Sequence, residues 1–199
     1  MDSAVANFIE SELAATKGVL AQLYAQTDYR NILAQVAELY IDRLRAGGTL
    51  LFCGNGGSAA DAQHIAGEFV SRFHFDRPGL AAIALSTDTS ILTAIGNDYG
   101  YDRIFARQVQ ALGRRGDVLT VLSTSGNSPN VIKAITAARD GGLTVVGLGG
   151  GNGGAMAELC DHLLLAPSAV TPRIQECHLA SYHLLCALVE ARMFGALQG

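Results

Sequence analysis

The 199-residue chain carries a formal net charge of −4, and apolar residues make up 49% of it. This length suits one domain with a substantial core. A negative charge without a block of Lys or Arg argues against a nucleic-acid or anionic-membrane surface. No apolar run approaches the roughly 18 residues that a membrane span needs, and the first residues, MDSAVANFIESELAATKG, do not resemble a secretion signal. We therefore predict a cytoplasmic protein that binds neither nucleic acid nor membrane.

Residues 1–46 are predicted to form two helices, because apolar residues recur there at intervals of three and four. Gly47 and Gly48 end the second helix, as glycine pairs commonly do. Beyond them, short apolar runs alternate with helical stretches. The predicted strands are Thr49–Cys53, Leu80–Leu85, Val118–Leu122, Thr144–Leu148 and His162–Leu165. The predicted helices are Ala59–Phe73, Ser90–Gly96, Ile104–Leu112, Val131–Arg139, Ala155–Leu159 and Ile174–Phe194.

This alternation predicts an α/β fold, with a mostly parallel five-stranded sheet between layers of helices. The chain has no linker or repeat, so we predict one domain over residues 1–199. Its N-terminal helical pair covers residues 1–46 and its α/β core, with the last helix, residues 47–199. The terminal helices are apolar on more than one face, which predicts packing against other subunits. The cysteines form no C-x-x-C pair and are predicted to be reduced, mostly buried thiols: Cys53, Cys160, Cys177 and Cys186.

Three glycine-rich loops follow predicted strands, at the edge where open α/β sheets bind ligands. The first runs from Gly54 to Ser58; its glycines permit close backbone approach, and Ser58 can cap the next helix. The second, STSGNSP at 123–129, holds four hydroxyls directly before a helix with Pro129 in its first turn. Amides and hydroxyls at that helix start would bind a phosphate without Lys or Arg. Serine capping would explain one hydroxyl but not four.

The third loop, GGGNGG at 149–154, carries no hydroxyl and is interpreted as a flexible turn. The first loop by itself fits an ordinary tight turn as well as it fits a binding loop. No Walker A motif is present, and the glycine pattern of the first loop, GNGGSAAD, does not have the G-x-G-x-x-G spacing of a dinucleotide site. The second loop is therefore the predicted phosphate site.

The helix after the first loop carries three polar residues on one face, at offsets of three and four: Asp61, His64 and Glu68. An imidazole and a carboxylate four residues apart suit a divalent metal such as zinc, and the same pair is also common as a solvent-exposed ion pair. The last helix adds Gln175, with His178 one turn away and His183 eight residues away, about 12 Å along the axis. Helical geometry does not choose between these two histidines.

Four longer segments occur in the order GNGGSAADAQHIAGEF, TAIGNDYGYDRIFARQV, GDVLTVLSTSGNSPNV and TPRIQECHLASYH. Together they resemble the phosphoheptose isomerases, enzymes of the sugar-isomerase (SIS) fold that convert sedoheptulose 7-phosphate into D-glycero-D-manno-heptose 7-phosphate. The likeness runs from about residue 47 to 195, and the N-terminal helices fit more loosely. It implies a three-layer SIS domain, a homotetramer built on the terminal helices, and one zinc ion per subunit. It also implies the first step of nucleotide-activated heptose biosynthesis.

The resemblance implies roles for residues at matching positions. Those implied to contact the substrate, with the hydroxyl-rich loop as phosphate cradle, are Asn55, Gly56, Gly57, Glu68, Asn97, Asp98, Ser123, Thr124, Ser125, Ser128 and Gln175. The implied zinc ligands are His64, Glu68, Gln175 and His183, which leaves His178 as a structural residue. Proton transfer through an enediol(ate) needs a base at carbon and an acid/base at the oxygens. Our hypothesis assigns these roles to Glu68 and His183.

Glu68 and His183 cannot be tight zinc ligands and free bases at the same moment. Either the metal exchanges ligands with the substrate, or one residue is mainly a ligand. Two other functions compete: a non-catalytic SIS module that binds a replication-initiator protein, and a sugar-phosphate sensor in transcription. An adaptor has no need of the metal and base set, and a sensor normally needs a DNA-binding element, which the sequence lacks. The sequence therefore favours the isomerase.

Overall fold

The computed structural model describes residues 2–195; the predicted domain limits at residues 1 and 199 lie outside this range. The helices are α1 (Ser3–Ala25), α2 (Thr27–Arg45), α3 (Gly57–Val70), α4 (Thr89–Tyr99), α5 (Ala106–Leu112), α6 (Pro129–Gly141) and α7 (Thr171–Phe194). The strands are β1 (Leu50–Gly54), β2 (Ala82–Ala84), β3 (Val118–Leu122), β4 (Thr144–Gly150) and β5 (His162–Ala166). Short 3-10 helices cover Tyr101–Arg103 and Gly154–Glu158.

The strands form one parallel sheet in the order β2-β1-β3-β4-β5. Every residue of β1 and β3 is buried, as expected for strands covered on both faces. Leu50 and Phe52 of β1 belong to one apolar cluster, whereas Leu51 and Cys53 belong to another. This alternation places one cluster on each face of the sheet.

The two clusters show how the helices are divided between the faces. One cluster joins the sheet to α1, α2, α3 and α7, and the other joins it to α4, α5 and α6. The result is a three-layer α/β fold with an N-terminal helical pair, as the sequence predicts. Both helices that carry the predicted metal ligands, α3 and α7, lie on the same face.

The helix α3 begins two residues earlier than predicted. Its N-cap is Gly56, with φ of +56°, and Ser58 is buried within the first turn. The prediction that Ser58 caps this helix is therefore wrong; a glycine takes that place because the backbone there has a positive φ. The helix ends at Val70 rather than Phe73, and the chain then turns back toward the sheet.

The strand β4 is longer than predicted, because Gly149 and Gly150 continue it instead of starting the third loop. A Cβ atom at Gly150 would lie 2.2 Å from the side chain of Ile174, so only glycine fits where α7 crosses this strand. Residues 154–158, predicted as a helix at 155–159, form a 3-10 helix. The edge strand β2 is shorter than its predicted range.

Two further predictions bear on where the protein works. All four cysteines are free thiols, and Cys53, Cys177 and Cys186 are buried, as predicted. None of the helices between residues 2 and 195 combines the length and the apolar character needed to cross a bilayer. The cytoplasmic location stays a prediction.

Candidate active site

The loops after β1 and β3 lie next to each other at the carboxyl edge of the sheet. These two strands are neighbours, although β2 follows β1 in the chain, so the strand order reverses direction at this point. Such a reversal opens a crevice between the two outgoing loops, where open α/β sheets bind their ligands. The topology thus brings together the first and second predicted binding loops.

The loop after β3 presents its hydroxyls beside the start of α6. They belong to Ser123, Thr124, Ser125 and Ser128. Ser123 is buried and accepts a hydrogen bond from the Gly126 amide at 3.1 Å, and its Oγ lies 3.4 Å from Oγ of Ser128. Ser128 is the N-cap residue of α6, yet its side chain makes no capping hydrogen bond. Capping therefore does not account for this hydroxyl, and residues 123–129 carry no charged side chain.

The second loop packs tightly against the third. Gly126 has φ of +64°, and a Cβ atom there would lie 1.8 Å from the carbonyl oxygen of Gly153. The Met156 amide donates to the Gly126 carbonyl at 3.0 Å, and the Ala155 amide donates to Oδ1 of Asn127 at 2.9 Å. The third loop and the 3-10 helix that follows it therefore support the hydroxyl-bearing loop directly, which the interpretation of the third loop as a flexible turn missed.

The loop after β1 lines a cavity of about 120 Å³, to which Asn55, Gly56, Ser86 and Tyr101 contribute. The glycine that follows Gly56 borders α7: a Cβ atom at Gly57 would lie 2.4 Å from Nε2 of Gln175. The cavity is smaller than the 300–1,000 Å³ typical of ligand sites.

Asn97 and Asp98 lie in the last turn of α4, where both are exposed. Nδ2 of Asn97 donates to Oδ1 of Asp98 at 2.8 Å. Within residues 2–195 these side chains make no hydrogen bond to the other predicted site residues. The nearby Tyr101 does contact one of those other site residues, because its hydroxyl donates to Oδ1 of Asn55 at 3.2 Å.

Three of the four predicted metal ligands converge between α3 and α7. His64, Glu68 and His183 each offer one ligand atom, and these atoms lie within 4.8 Å of one another. Nε2 of His64 is 3.0 Å from Oε1 of Glu68, and the ring centroids of His64 and His183 are 5.1 Å apart. Two imidazole nitrogens and a carboxylate oxygen form a donor set that zinc accepts. Gln175 lies two helical turns before His183 on α7.

A hydroxyl that sequence reasoning missed lies behind this cluster. Oη of Tyr182 is 3.0 Å from Nδ1 of His64 and 3.4 Å from Oδ1 of Asp61. Burial, and then the Asp61 carboxylate, raise the pKa of Tyr182, so the phenol keeps its proton. When Tyr182 donates this proton to Asp61, its oxygen accepts from Nδ1–H of His64. Nε2 of His64 then presents a lone pair toward the Glu68 carboxylate. Because both atoms are acceptors, their approach favours a cation between them.

His178 lies apart from these ligands and is buried within α7. Its Nε2 lies 3.1 Å from the carbonyl oxygen of Gly149 and donates to it. Burial lowers the pKa of His178 to about 4, so the ring is neutral at neutral pH. These contacts fit the structural role that the resemblance implies.

The segment after α3 is anchored to α7 by a buried ion pair. Nε of Arg77 lies 3.0 Å from Oε1 of Glu190, and both side chains are at most 2% exposed. The Glu190 carboxylate also accepts from the amides of Phe73 and His74, while Arg77 donates to the Glu68 carbonyl at 2.7 Å. The end of α3 that carries Glu68 is thereby fixed to α7. Sequence reasoning did not find this pair, because an isolated Arg and an isolated Glu carry no pattern.

The chain is similar to known proteins over nearly its whole length. Residues 13–150 match the SIS domain family. A protein named phosphoheptose isomerase from Burkholderia pseudomallei (strain 1710b) is 55% identical over 98% of this chain and 99% of its own length. One of the same name from Aneurinibacillus thermoaerophilus is 53% identical over 94% and 95% of the two chains. The solved phosphoheptose isomerase of Neisseria gonorrhoeae superposes with a TM-score of 0.88 at 43% identity, covering 94% of this chain and 99% of that one.

The chain belongs to the phosphoheptose isomerase family. Its likeness to phosphoheptose isomerases extends over both ends, so it includes α7, which lies beyond the matched SIS domain. More distant structures share only the fold. The sugar isomerase domain of the RpiR transcription factor from Sphaerobacter thermophilus superposes with a TM-score of 0.64 at 19% identity.

Proposed function

We propose that this protein converts sedoheptulose 7-phosphate into D-glycero-D-manno-heptose 7-phosphate, as the first step of nucleotide-activated heptose biosynthesis. The observation that carries the proposal is the convergence of His64, Glu68 and His183 beside the crevice of a chain in the phosphoheptose isomerase family. An adaptor or a sensor has no need of this set. The activated heptose would enter a glycan such as lipopolysaccharide.

The phosphate end of the substrate would bind the cradle after β3. Four hydroxyls and the amides at the start of α6 would meet the phosphate oxygens, aided by the helix dipole. No cation is needed in this loop, which agrees with the acidic composition of the chain. The residues assigned to the substrate are Asn55, Gly56, Gly57, Glu68, Asn97, Asp98, Ser123, Thr124, Ser125, Ser128 and Gln175. Binding the phosphate would orient the distant carbonyl end for reaction.

Isomerisation moves one proton between adjacent carbons and a second between their oxygens. Glu68 would take the proton from carbon, and His183 would exchange a proton with the oxygens of the enediol(ate). Burial, and then the neighbouring His64, lower the pKa of His183 below its ordinary value. A neutral imidazole is thereby favoured near neutral pH, and it can accept a proton from the substrate hydroxyl.

We assign zinc to His64, Glu68, Gln175 and His183 in the substrate-free protein; when the sugar phosphate binds, Glu68 and His183 would leave the ion and act as the bases. Three of these offer ligand atoms close enough to bind one ion, and Gln175 enters the set from the family resemblance. When bound, zinc would act as a Lewis acid on the substrate carbonyl. Tyr182 would hold His64 so that Nε2 faces the ion.

A Glu68→Gln variant tests the assignment of the base. Glutamine keeps the size of the side chain but does not take up the proton, so isomerisation is expected to fall by about 10²-fold or more. Binding of the sugar phosphate, followed by calorimetry, is expected to persist. The reaction is followed by NMR as aldose forms from sedoheptulose 7-phosphate.

The matched control for E68Q is Gln63→Ala, which changes an exposed residue of the same helix. Its rate is expected to stay close to wild type. Turnover by E68Q near that of the control would exclude Glu68 as the base. A wild-type protein that forms no aldose would refute the proposed function itself.

We also infer a homotetramer, from the family resemblance and from the apolar surface of α1. The side chains of Val5, Phe8, Ile9 and Leu13 are between 45% and 66% exposed in the isolated chain. Apolar surface of this kind, continuous along a helix, is typical of an interface between proteins. Neighbouring subunits would then complete the small cavity beside Asn55.

A further inference from the structure

The first and second binding loops are joined by a reciprocal pair of side-chain amides. Nδ2 of Asn130 donates to Oδ1 of Asn55 at 2.8 Å, and Nδ2 of Asn55 donates to Oδ1 of Asn130 at 2.9 Å. Asn130 lies in the first turn of α6 and is only 2% exposed. Asn55 lies between β1 and α3. The pair, which we call the amide clasp, therefore spans the crevice between two neighbouring strands.

The orientation of both amides in the clasp is determined by the backbone. The amide of Val131, which can only donate, lies 3.0 Å from Oδ1 of Asn130. This contact requires the oxygen of Asn130 at that position and its nitrogen opposite, and the reciprocal pairing then orients Asn55. The hydroxyl of Tyr101 adds a second hydrogen bond to Oδ1 of Asn55. Oδ1 of Asn55 thus accepts two hydrogen bonds within the protein.

The clasp links the two parts of the site that must act on opposite ends of one substrate. Asn130 lies two residues after Ser128, and Asn55 lies two residues before the start of the helix that carries His64 and Glu68. The length of the amide clasp therefore determines how far the phosphate cradle lies from the start of α3. Burying a side-chain amide costs free energy unless the amide is hydrogen-bonded. Here the hydrogen bonds of Asn130 also hold two loops together.

We propose that Asn130 is a positioning residue for the isomerisation. It holds the Asn55 loop, and through it α3, at a constant distance from the phosphate cradle, so that a phosphate-anchored substrate places its carbonyl end at Glu68. This inference rests on the proposed function. It predicts that loss of the clasp harms turnover more than it harms recognition of the phosphate group.

Two variants break the clasp in different ways. Asn130→Ala removes both hydrogen bonds to Asn55, whereas Asn130→Asp keeps the shape and the acceptor for Val131 but sets an oxygen against Oδ1 of Asn55. We expect kcat with sedoheptulose 7-phosphate to fall by about ten-fold or more in each, since misplacement of about 1 Å can cost about 10²-fold. The dissociation constant of inorganic phosphate, measured by calorimetry, is expected to change by less than about two-fold, because its contacts lie in the cradle.

Three comparisons separate this role from a general loss of structure. Thr136→Ala, an exposed position on the same helix, is the matched control and is expected to retain wild-type kcat. The double variant with Asn55→Ala is expected to lose no more than N55A alone, because both substitutions break one clasp. N130D, nearly isosteric with wild type, supplies the measurement if N130A does not fold.

The inference is overturned if both N130 variants keep kcat within two-fold of T136A. It is also overturned if phosphate affinity and kcat fall by the same factor, which would make Asn130 part of the cradle alone. Either result leaves the proposed function intact provided that the wild-type protein is active. An inactive wild-type protein instead removes the proposed function, and with it the role of the clasp.

Discussion

The hydroxyl of Tyr182 bonds the nitrogen of His64 that faces away from Glu68. Tyr182→Phe removes this hydrogen bond but keeps the ring, which packs against His64 and His183. We expect zinc affinity to fall by about 10- to 100-fold, since groups that orient a metal-binding histidine commonly contribute that much. Competition with a chromogenic chelator measures the affinity.

Tyr29→Phe is the matched control for Y182F. The Tyr29 hydroxyl bonds Ser181, the residue next to Tyr182, but makes no contact with His64. Removing it is expected to lower stability by about 1 kcal/mol and to leave zinc affinity unchanged. Equal zinc affinity in Y182F and Y29F would contradict the orienting role of Tyr182.

His178 makes the stability of the fold sensitive to acid. Its pKa is about 4 in the folded chain against 6.5 for an ordinary histidine, so between these values the unfolded chain binds more protons. The neutral His178 ring contributes fully to the free energy of unfolding above pH 6.5, and this contribution is lost as the pH falls toward 4. The loss amounts to about 3 kcal/mol.

Denaturant unfolding of His178→Gln between pH 7 and pH 4 checks this expectation. The free energy of unfolding of H178Q should fall less steeply with acid than that of wild type, because the titrating ring is gone. His74→Gln, which removes an exposed imidazole, is the control. Identical pH profiles for wild type and H178Q would show that another group causes the acid sensitivity.

At the scale of elements, α3 and α7 lie side by side and run in the same direction. Gly57 borders Gln175, His64 contacts Tyr182 and His183, and the segment after α3 contacts Glu190. The face of α3 could be predicted from the offset between His64 and Glu68. Its register against α7 could not, because more than a hundred residues separate the two helices and only the completed sheet brings them together.

The buried pair of Arg77 and Glu190 is expected to contribute strongly to the stability of this helix pairing. Burial alone would raise the pKa of Glu190, but the amides of His74 and Phe73, together with Arg77, lower it below its ordinary value. Glu190→Gln leaves the guanidinium buried without its counter-charge, which typically costs about 3–5 kcal/mol. Urea denaturation of E190Q measures the loss.

Glu38→Gln is the matched control, because Glu38 pairs with Arg192 of α7 where both side chains are about half exposed. A pair of that kind contributes at most about 1 kcal/mol. If the free energies of unfolding of E190Q and E38Q differ by less than about 1 kcal/mol, solvent reaches the Arg77 guanidinium and the pair does not stabilise the helix pairing as expected.

At the scale of the whole molecule, the apolar stripe of α1 extends beyond the body of the chain. Val19 and Leu23 are buried in the core, whereas Phe8 and Leu13 on the same stripe are 66% exposed. The double variant Phe8→Glu, Leu13→Glu is expected to reduce the mass of the oligomer, because two charges would have to be buried at the interface. Light scattering after gel filtration measures the mass.

Ala14→Glu, on the opposite side of α1, is the control and should keep the wild-type mass. An unchanged mass for the double variant as well would place the subunit interface elsewhere. A monomeric wild-type protein would contradict the tetramer outright.

Much of the fold follows from the sequence, because strands that alternate with helices build a parallel sheet and parallel strands end at one edge. This is why the loops at Asn55 and at 123–129 could be predicted to share one edge of the sheet, whereas their adjacency depends on the strand order, which the structure supplies. The contacts that fix the site could not be predicted in the same way. Asn130 and Tyr182 are isolated polar side chains within helices, and only the packed structure reveals their partners.

The close approach of Gly126 to Gly153 has a consequence for how a substrate could enter. A side chain at Gly126 would collide with the Gly153 carbonyl, Gly153 has a positive φ of +78° that disfavours a side chain, and two hydrogen bonds tie the loops together beside them. The proposed phosphate cradle is thus held in place by packing before anything binds, and little ordering entropy would remain to be lost there. Any gate that opens and closes during turnover is expected at the other rim of the crevice, around the exposed end of α4.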